Sequence, residues 1–167
     1  MSDPQSHPAT GQPIGAPVDD QPAPRPGPVT LVGRYGRVEK LAANHATTLW
    51  DAVKGHDAIW TYMSQYGPFA DASEFAAWVT RRAALDDPYA YAIIDPSNRA
   101  LGVATLMDIQ PDMRVIEVGH IVYSQALQRT PPAISHTQTL SRAVELRRRG
   151  ASGDAGARGS QALLAHG

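Results

Sequence analysis

All 11 aromatic residues of this chain lie between Tyr35 and Tyr123, which limits where a folded core can form. Aromatic side chains bury the largest apolar areas, so a segment without them has little surface to bury. At 167 residues the chain has room for one domain. We therefore expect a single core in the middle of the chain.

The two segments that flank this region have different compositions. Residues 1–28 hold eight of the 14 prolines and a single basic residue, Arg25, and proline removes backbone hydrogen-bond donors. Residues 141–167 contain six alanines, five glycines and five arginines. We predict a disordered leader over 1–28, a partial enzyme domain over 29–140 and a flexible, arginine-rich tail over 141–167.

Composition also excludes several classes of protein. The net charge is -1, so no general basic field favours nucleic acid or an anionic membrane. No cysteine is present, which excludes disulfides and thiol nucleophiles. No secretory signal and no apolar run of ~20 residues is visible, and His45, His56 and His120 lack metal-ligand spacing. We expect a cytoplasmic protein without a metal; its oligomeric state is not indicated.

Hydrophobic periodicity predicts two helices and four strands in the middle of the chain. Asp71 and Glu74 form a variant capping box at the start of the second helix. In the last strand, alternation places Glu117 on one face and His120 on the other. The predicted elements, in order, are a strand at 29–41, a helix at 44–53, a short helix or turn at 56–63, a helix from Asp71 to Asp86, and strands at 89–94, 101–107 and 115–123. This order predicts an α+β domain with an antiparallel meander behind two helices.

Four short sequence motifs occur in order along this region: Tyr66–Phe69, Gly102–Ala104, Ile116–Ile121 and Leu127–Thr130. With them, the chain from about 29 to 130 resembles the GNAT superfamily of acetyltransferases, and in particular the RimJ and RimL branch. The resemblance implies the N-terminal part of the GNAT-like acyl-CoA N-acyltransferase fold, β-α-α-β-β-β-α. It also implies acetyl transfer from acetyl-CoA to a primary amine, which is a protein N-terminus or a small molecule.

The resemblance assigns roles to seven residues. Glu117 would be the general base for the attacking amine. The arm of acetyl-CoA would lie against the end of the last strand, and the pyrophosphate against the amides of the next turn. The cofactor-binding residues implied are Ile121, Val122, Tyr123, Gln128, Arg129 and Thr130. Residue chemistry alone leaves other roles open: Glu117 as a solvated side chain or a partner of Arg114, and His120 as a satisfied core or edge histidine.

The sequence departs from the family pattern after about residue 131. Pro131 and Pro132 carry no amide hydrogen for a phosphate, and no strand pattern follows the weak helical pattern from about Ala133 to Arg149. We expect that the C-terminal part of the fold is lost or altered, through truncation or a frameshift near 131–146. Two alternatives to an active enzyme follow: an inactive remnant without cofactor binding, and an interaction module whose arginine-rich tail binds an acidic partner.

Overall fold

The computed structural model describes residues 5–14, 21–63 and 65–130. A short hairpin comes first, with β1 at Gln5–Ser6 and β2 at Pro13–Ile14. The main sheet has five antiparallel strands in the order β3-β4-β5-β6-β7. Their bounds are Leu31–Gly33 for β3, Gly36–Lys40 for β4, Tyr89–Ile94 for β5, Ala100–Gln110 for β6 and Val115–Tyr123 for β7. The predicted α+β meander is confirmed.

The predicted first strand is two strands joined by a tight hairpin. Gly33 pairs with Gly36 across a two-residue turn, so β3 and β4 fold back on each other. Gly36 has φ +134°, and a Cβ there would lie 2.0 Å from the carbonyl oxygen of Ile94. Only glycine permits this approach of β4 to β5, and the two glycines are what divides the predicted strand.

Two α-helices connect β4 to β5. Helix α1 spans Ala46–Val53 after a 3₁₀ turn at Ala43–His45, and a second 3₁₀ turn covers Asp57–Trp60. Helix α2 spans Ala72–Ala83. The carboxylate of Asp71 accepts the amides of Ser73 and Glu74 at 2.8 and 2.9 Å, which confirms the predicted cap. The Glu74 carboxylate reaches back one residue further than predicted, to the amide of Ala70.

Both helices pack on one face of the sheet, and aromatic rings fill the space between them. Trp60 lies near the centre of this cluster: its ring makes edge-to-face contacts with Phe69, Phe75 and Trp78 at centroid distances of 5.2 to 6.5 Å. The sheet contributes small and branched residues to this side, namely Ala90, Ala92, Ile94, Ala100, Val103 and Val122. The core therefore lies where the aromatic residues are concentrated in the sequence.

The other face of the sheet has its own buried cluster. Tyr89 and Tyr91 pack there with ring centroids 5.3 Å apart, together with Leu106 and Leu127. Part of the leader crosses this face, since the Tyr91 hydroxyl donates to the Gly27 carbonyl at 3.2 Å. The two tyrosines therefore have packing roles. The disordered leader over 1–28 stays a prediction.

The alternation predicted for β7 is wrong because the strand contains a β-bulge. Val103 of β6 pairs with Val122 of β7. Thr105 lies two residues after Val103, but its partner Gly119 lies three residues before Val122, so β7 has one extra residue in this stretch. His120 absorbs the extra residue with φ +43°. Before the bulge, the second face of the sheet receives Ile116 and Val118. After the bulge, it receives Ile121 and Tyr123, so even-numbered side chains face this side before His120 and odd-numbered ones after it. Glu117, His120 and Val122 consequently share the helix side, where strict alternation had separated His120 from Glu117.

Several sequence predictions fall outside the described residues. These are the helix from about Ala133 to Arg149, the tail over 141–167 and the two prolines after Thr130. Within the described residues, no helix has the length and apolar character needed to cross a bilayer. The same residues contain no group of three or more histidine and acidic side chains placed to hold a metal ion.

Candidate active site

The end of β7 and the turn that follows it are held closely against β6. The amide of Ser124 donates to the Leu101 carbonyl at 3.0 Å, which continues the strand pairing one residue past Tyr123. A Cβ on Gly102 would lie 2.7 Å from the Val122 carbonyl oxygen and 3.0 Å from Leu127 Cδ2. A glycine at this position therefore lets both the strand end and the turn approach β6.

Residues 124–130 form a tight turn that is held by hydrogen bonds between its own backbone groups. The amides of Leu127 and Gln128 both donate to the Ser124 carbonyl, and Leu127 is buried as the anchor of the turn. Arg129 has φ +57°, in the left-handed region. Within the described part of the chain, the amides of Arg129 and Thr130 donate to no backbone carbonyl. The turn thus presents two backbone donors and one exposed guanidinium, which suits an anion.

A buried hydroxyl at the start of this turn has no partner within residues 5–14, 21–63 and 65–130. Ser124 is 0% exposed, and its Oγ makes no hydrogen bond to any described residue. Buried hydroxyls in native proteins are normally satisfied, so such an atom favours a ligand or water beside it. The donors of the turn and this orphaned hydroxyl fit a polar ligand that passes the end of β7.

The bulge in β7 is fixed from the β6 side. The buried hydroxyl of Thr105 donates to the Gly119 carbonyl at 2.8 Å, next to the residue that absorbs the bulge. Among the described strands β7 lies at the edge of the sheet, so its outer backbone groups face away from β6. An edge strand can pair with an extended ligand through main-chain hydrogen bonds.

Glu117 lies three residues before His120, on the same side of the sheet. Its side chain is exposed, and a Cβ on Gly119 would lie 3.1 Å from its Oε1. Glu117 raises the pKa of His120 electrostatically, so the two side chains are close enough to interact. An exposed carboxylate beside the bulge is free to receive a proton from a molecule bound there.

His120 itself is held by side chains from outside the sheet. A nitrogen of the Arg82 guanidinium lies 3.2 Å from His120 Nδ1, and the Tyr66 ring meets the imidazole edge to face at 5.2 Å. The Arg82 guanidinium also stands over the Tyr66 ring, 4.2 Å from its centroid. Burial and the adjacent Arg82 charge lower the pKa of His120, and the Glu117 carboxylate opposes them.

The predicted cofactor contacts lie at the end of β7 and in the turn that follows, whereas Glu117 lies near the start of the strand. Of the predicted cofactor contacts, Val122 is buried in the helix-side core, whereas Ile121 and Tyr123 are partly buried on the second face. Gln128 and Arg129 are exposed, and Thr130 is partly exposed. The Gln128 side chain donates to the Tyr123 carbonyl at 3.1 Å, so it ties the turn to the strand.

Arg82 is the residue that sequence reasoning missed. Its position in the last turn of α2 indicates by itself only a favourable charge for the helix dipole, but Arg82 is 6% exposed and points toward the sheet. The signal was available: Phe75, Trp78, Val79 and Arg82 follow one another at helical spacing, and all four are buried. A charged residue on the apolar stripe of a helix indicates a specific partner.

No protein-family model matches this chain, and no curated protein matches it. Solved structures do resemble it. A GCN5-related N-acetyltransferase from Brucella melitensis is 31% identical with a TM-score of 0.70, over 74% of this chain and 57% of its own. A protein from Chromobacterium violaceum ATCC 12472, assigned to the GNAT family of acetyltransferases, is 26% identical with the same TM-score, over 80% of this chain and 69% of its own.

An acetyltransferase from T. thermophilus is 16% identical with a TM-score of 0.64, over 74% of this chain and 64% of its own, and shows a likeness of fold alone. The chain spans 57% of the Brucella protein, which is less than two thirds of its length. The fold of the described residues is that of GNAT acetyltransferases, and the structures it resembles are GNAT-family proteins.

Proposed function

We propose that this chain is an acetyl-CoA-dependent N-acetyltransferase of the GNAT superfamily, in the branch of RimJ and RimL, that acts on a primary amine in the cytoplasm. The observation that carries the proposal is the bulged edge strand β7, which leads directly into the donor-rich turn at 124–130 on a GNAT-type sheet. In this proposal β7 would bind the arm of the cofactor, the turn would bind its pyrophosphate, and the exposed carboxylate of Glu117 would take the proton of the amine.

The end of β7 and the turn would bind the two ends of the acetyl-CoA arm. Backbone groups of Ile121, Val122 and Tyr123 would pair with the amide-containing pantetheine as a neighbouring strand does. The amides of Arg129 and Thr130 and the Arg129 side chain would meet the pyrophosphate. The orphaned Ser124 hydroxyl lies between these two regions and would gain a partner.

Glu117 would act as the general base. The lone pair of the amine attacks the thioester carbonyl carbon, the carbon–sulfur bond breaks, and the sulfur leaves with the bonding electrons. The nitrogen must lose one proton for the amide to form, and the exposed Glu117 carboxylate beside the bulge can take it directly or through water. The proton can then pass to solvent, because the side chain is exposed.

Titration of acetyl-CoA into the full chain, together with a thiol-release assay on a panel of primary amines, tests the proposal. We expect binding and amine-dependent release of free thiol. Glu117→Gln should keep the affinity for acetyl-CoA and lower turnover by ~10²-fold or more, which is the scale of general-base loss. A folded chain that neither binds acetyl-CoA nor releases thiol with any amine would instead be an inactive remnant.

A further inference from the structure

Arg82 is a buried cation without an acidic partner among the residues that the structure describes. Its side chain is 6% exposed, and none of the ion pairs among the described residues includes it. Its contacts there are the neutral face of Tyr66 and the Nδ1 atom of His120. A buried guanidinium is normally compensated by a carboxylate or another anion. The missing anion is therefore a reason to look for a ligand.

Arg82 also determines which nitrogen of His120 can donate. Arginine has only donors, so Nδ1 of His120 must accept the hydrogen bond. In the neutral ring the proton then resides on Nε2, and this N–H has no partner among the described residues. His120 therefore acts as a second hydrogen-bond donor, and its role as proton acceptor is excluded while Arg82 occupies Nδ1.

Trp78 supplies a third donor in the same cluster. Its Nε1 is buried and has no hydrogen-bond partner among the residues that the structure describes. Trp78 lies one helical turn before Arg82 on the buried face of α2, and its ring contacts the same Tyr66 ring at 5.9 Å. Orphaned buried donors are rare in native proteins. Trp78 is therefore a second buried residue with a donor unpaired in the described part of the chain, and it packs on the Tyr66 ring, as Arg82 does.

We infer that Arg82, His120 and Trp78 form a carboxylate-binding subsite, and that the amine acceptor carries a carboxylate group. One guanidinium balances one carboxylate, and its planar fork matches carboxylate geometry. Glu117 on β7 is negative and Arg82 on α2 is positive, and both lie close enough to His120 to act on it electrostatically. An acceptor with its amino group beside Glu117 and its carboxylate at Arg82 would complement both. This inference rests on the proposed function, and it specifies the acceptor class.

Two pairs of acceptors test whether an acceptor with a carboxylate is preferred. They also show whether this carboxylate belongs to a free amino acid or to an acidic N-terminus. β-Alanine and β-alaninamide share a skeleton and differ in the carboxylate, as do the peptide amides Asp-Ala-Ala and Asn-Ala-Ala. We expect kcat/KM to be roughly 10-fold or more higher for the carboxylate-bearing member of at least one pair, the scale of a charge-assisted hydrogen bond. A preference in the first pair identifies a free amino acid as acceptor, and one in the second an acidic N-terminus. Equal kcat/KM within both pairs would overturn the inference.

Arg82→Gln and Arg81→Gln form a matched pair of variants. Both remove one charge from the last turn of α2, but Arg81 is exposed. Arg82→Gln should bring the ratio of kcat/KM within the preferred pair close to one, and Arg81→Gln should leave it unchanged. An equal loss for both members with Arg82→Gln would mean a purely structural role. If Arg82→Gln does not fold, Arg82→Lys keeps the charge without the fork and should still lower the ratio; an unchanged ratio would overturn the subsite.

Succinate, which has carboxylates and no amine, separates failure of this inference from failure of the proposed function. We expect succinate to raise the thermal midpoint of the full chain and of Arg81→Gln, with no rise for Arg82→Gln and none with succinamide. Succinate binding through Arg82 without acetyl-CoA binding would keep the subsite and reject the enzyme. Acetyl transfer without any carboxylate preference would keep the enzyme and reject the subsite.

Discussion

Substituting Gly102 by alanine should weaken both the stability of the domain and its affinity for acetyl-CoA. The new Cβ would lie 2.7 Å from the Val122 carbonyl oxygen, 3.0 Å from Leu127 Cδ2 and 3.3 Å from Tyr123 Cδ1. A leucine methyl can rotate away, but a backbone oxygen in a paired strand cannot. The end of β7 must therefore move from β6 by several tenths of an ångström.

The expected cost follows from two opposing effects. Overpacking of this kind costs about 1–3 kcal/mol. Replacing glycine also restricts the unfolded chain, which returns about 0.4–1 kcal/mol. A net loss of roughly 1–2 kcal/mol should lower the thermal midpoint by about 4–16 °C, taking the 4–8 °C per kcal/mol typical of a domain of up to about 100 residues. Val122 and Tyr123 are proposed cofactor contacts, and Leu127 anchors the turn proposed to bind the pyrophosphate, so acetyl-CoA affinity should fall as well.

Gly33→Ala is the matched control for this substitution. It also replaces a strand glycine of the same sheet, but its nearest contact would be 3.8 Å away, at the Gly36 carbonyl oxygen. Urea unfolding followed by fluorescence of the three buried or half-buried tryptophans, together with acetyl-CoA titration, measures both effects. If Gly102→Ala is as stable as Gly33→Ala, the close approach of β6 and β7 does not depend on a missing Cβ, and the reasoning is refuted.

Two further perturbations test the fold and its electrostatics. Asp71→Ala should lower the free energy of unfolding by about 1 kcal/mol, because two amides of α2 lose their acceptor; Ser73→Ala, which changes no cap, should leave urea unfolding nearly unaltered. The pKa of His120 lies below its ordinary 6.5, so the unfolded chain takes up the proton first as pH falls. Stability should therefore decline below about pH 6.5 and level off below the folded pKa, and His120→Asn, which tolerates positive φ, should remove this part of the pH profile. An unchanged profile from pH 7 to 5 would show that His120 makes no such contribution.

Strand positions and the helix start could be predicted because their signals are local. Strands β5 and β7 have the bounds that the alternating pattern gave, since each run ends at a turn whose residues bond their own backbone. The Asp71 cap depends only on the two amides that follow it. The turn at 124–130 likewise follows from a short run of sequence, whereas the role of Glu117 as base rests on the resemblance and stays a prediction.

The bulge at His120 was not predicted, although the sequence carries a sign of it: around Gly119 the apolar positions shift from 116 and 118 to 121 and 123. It arises from pairing with β6, where Thr105 bonds the Gly119 carbonyl. The phase change that results turns His120 toward Arg82, 38 residues earlier in the chain. The donor cluster therefore depends on two elements that meet only in the folded domain.

The sequence by itself determined the two helices, the three strands from Tyr89 to Tyr123, the location of the core and the family that the chain resembles. Local periodicity, turn chemistry and the confinement of aromatic residues are properties of neighbouring residues, so they can be read without the fold. Only the tertiary structure decided which side chains share a face of β7 and which charge lies buried beside it. A single extra residue in one strand reverses every side chain after it, and that residue is chosen by contacts with distant strands and helices.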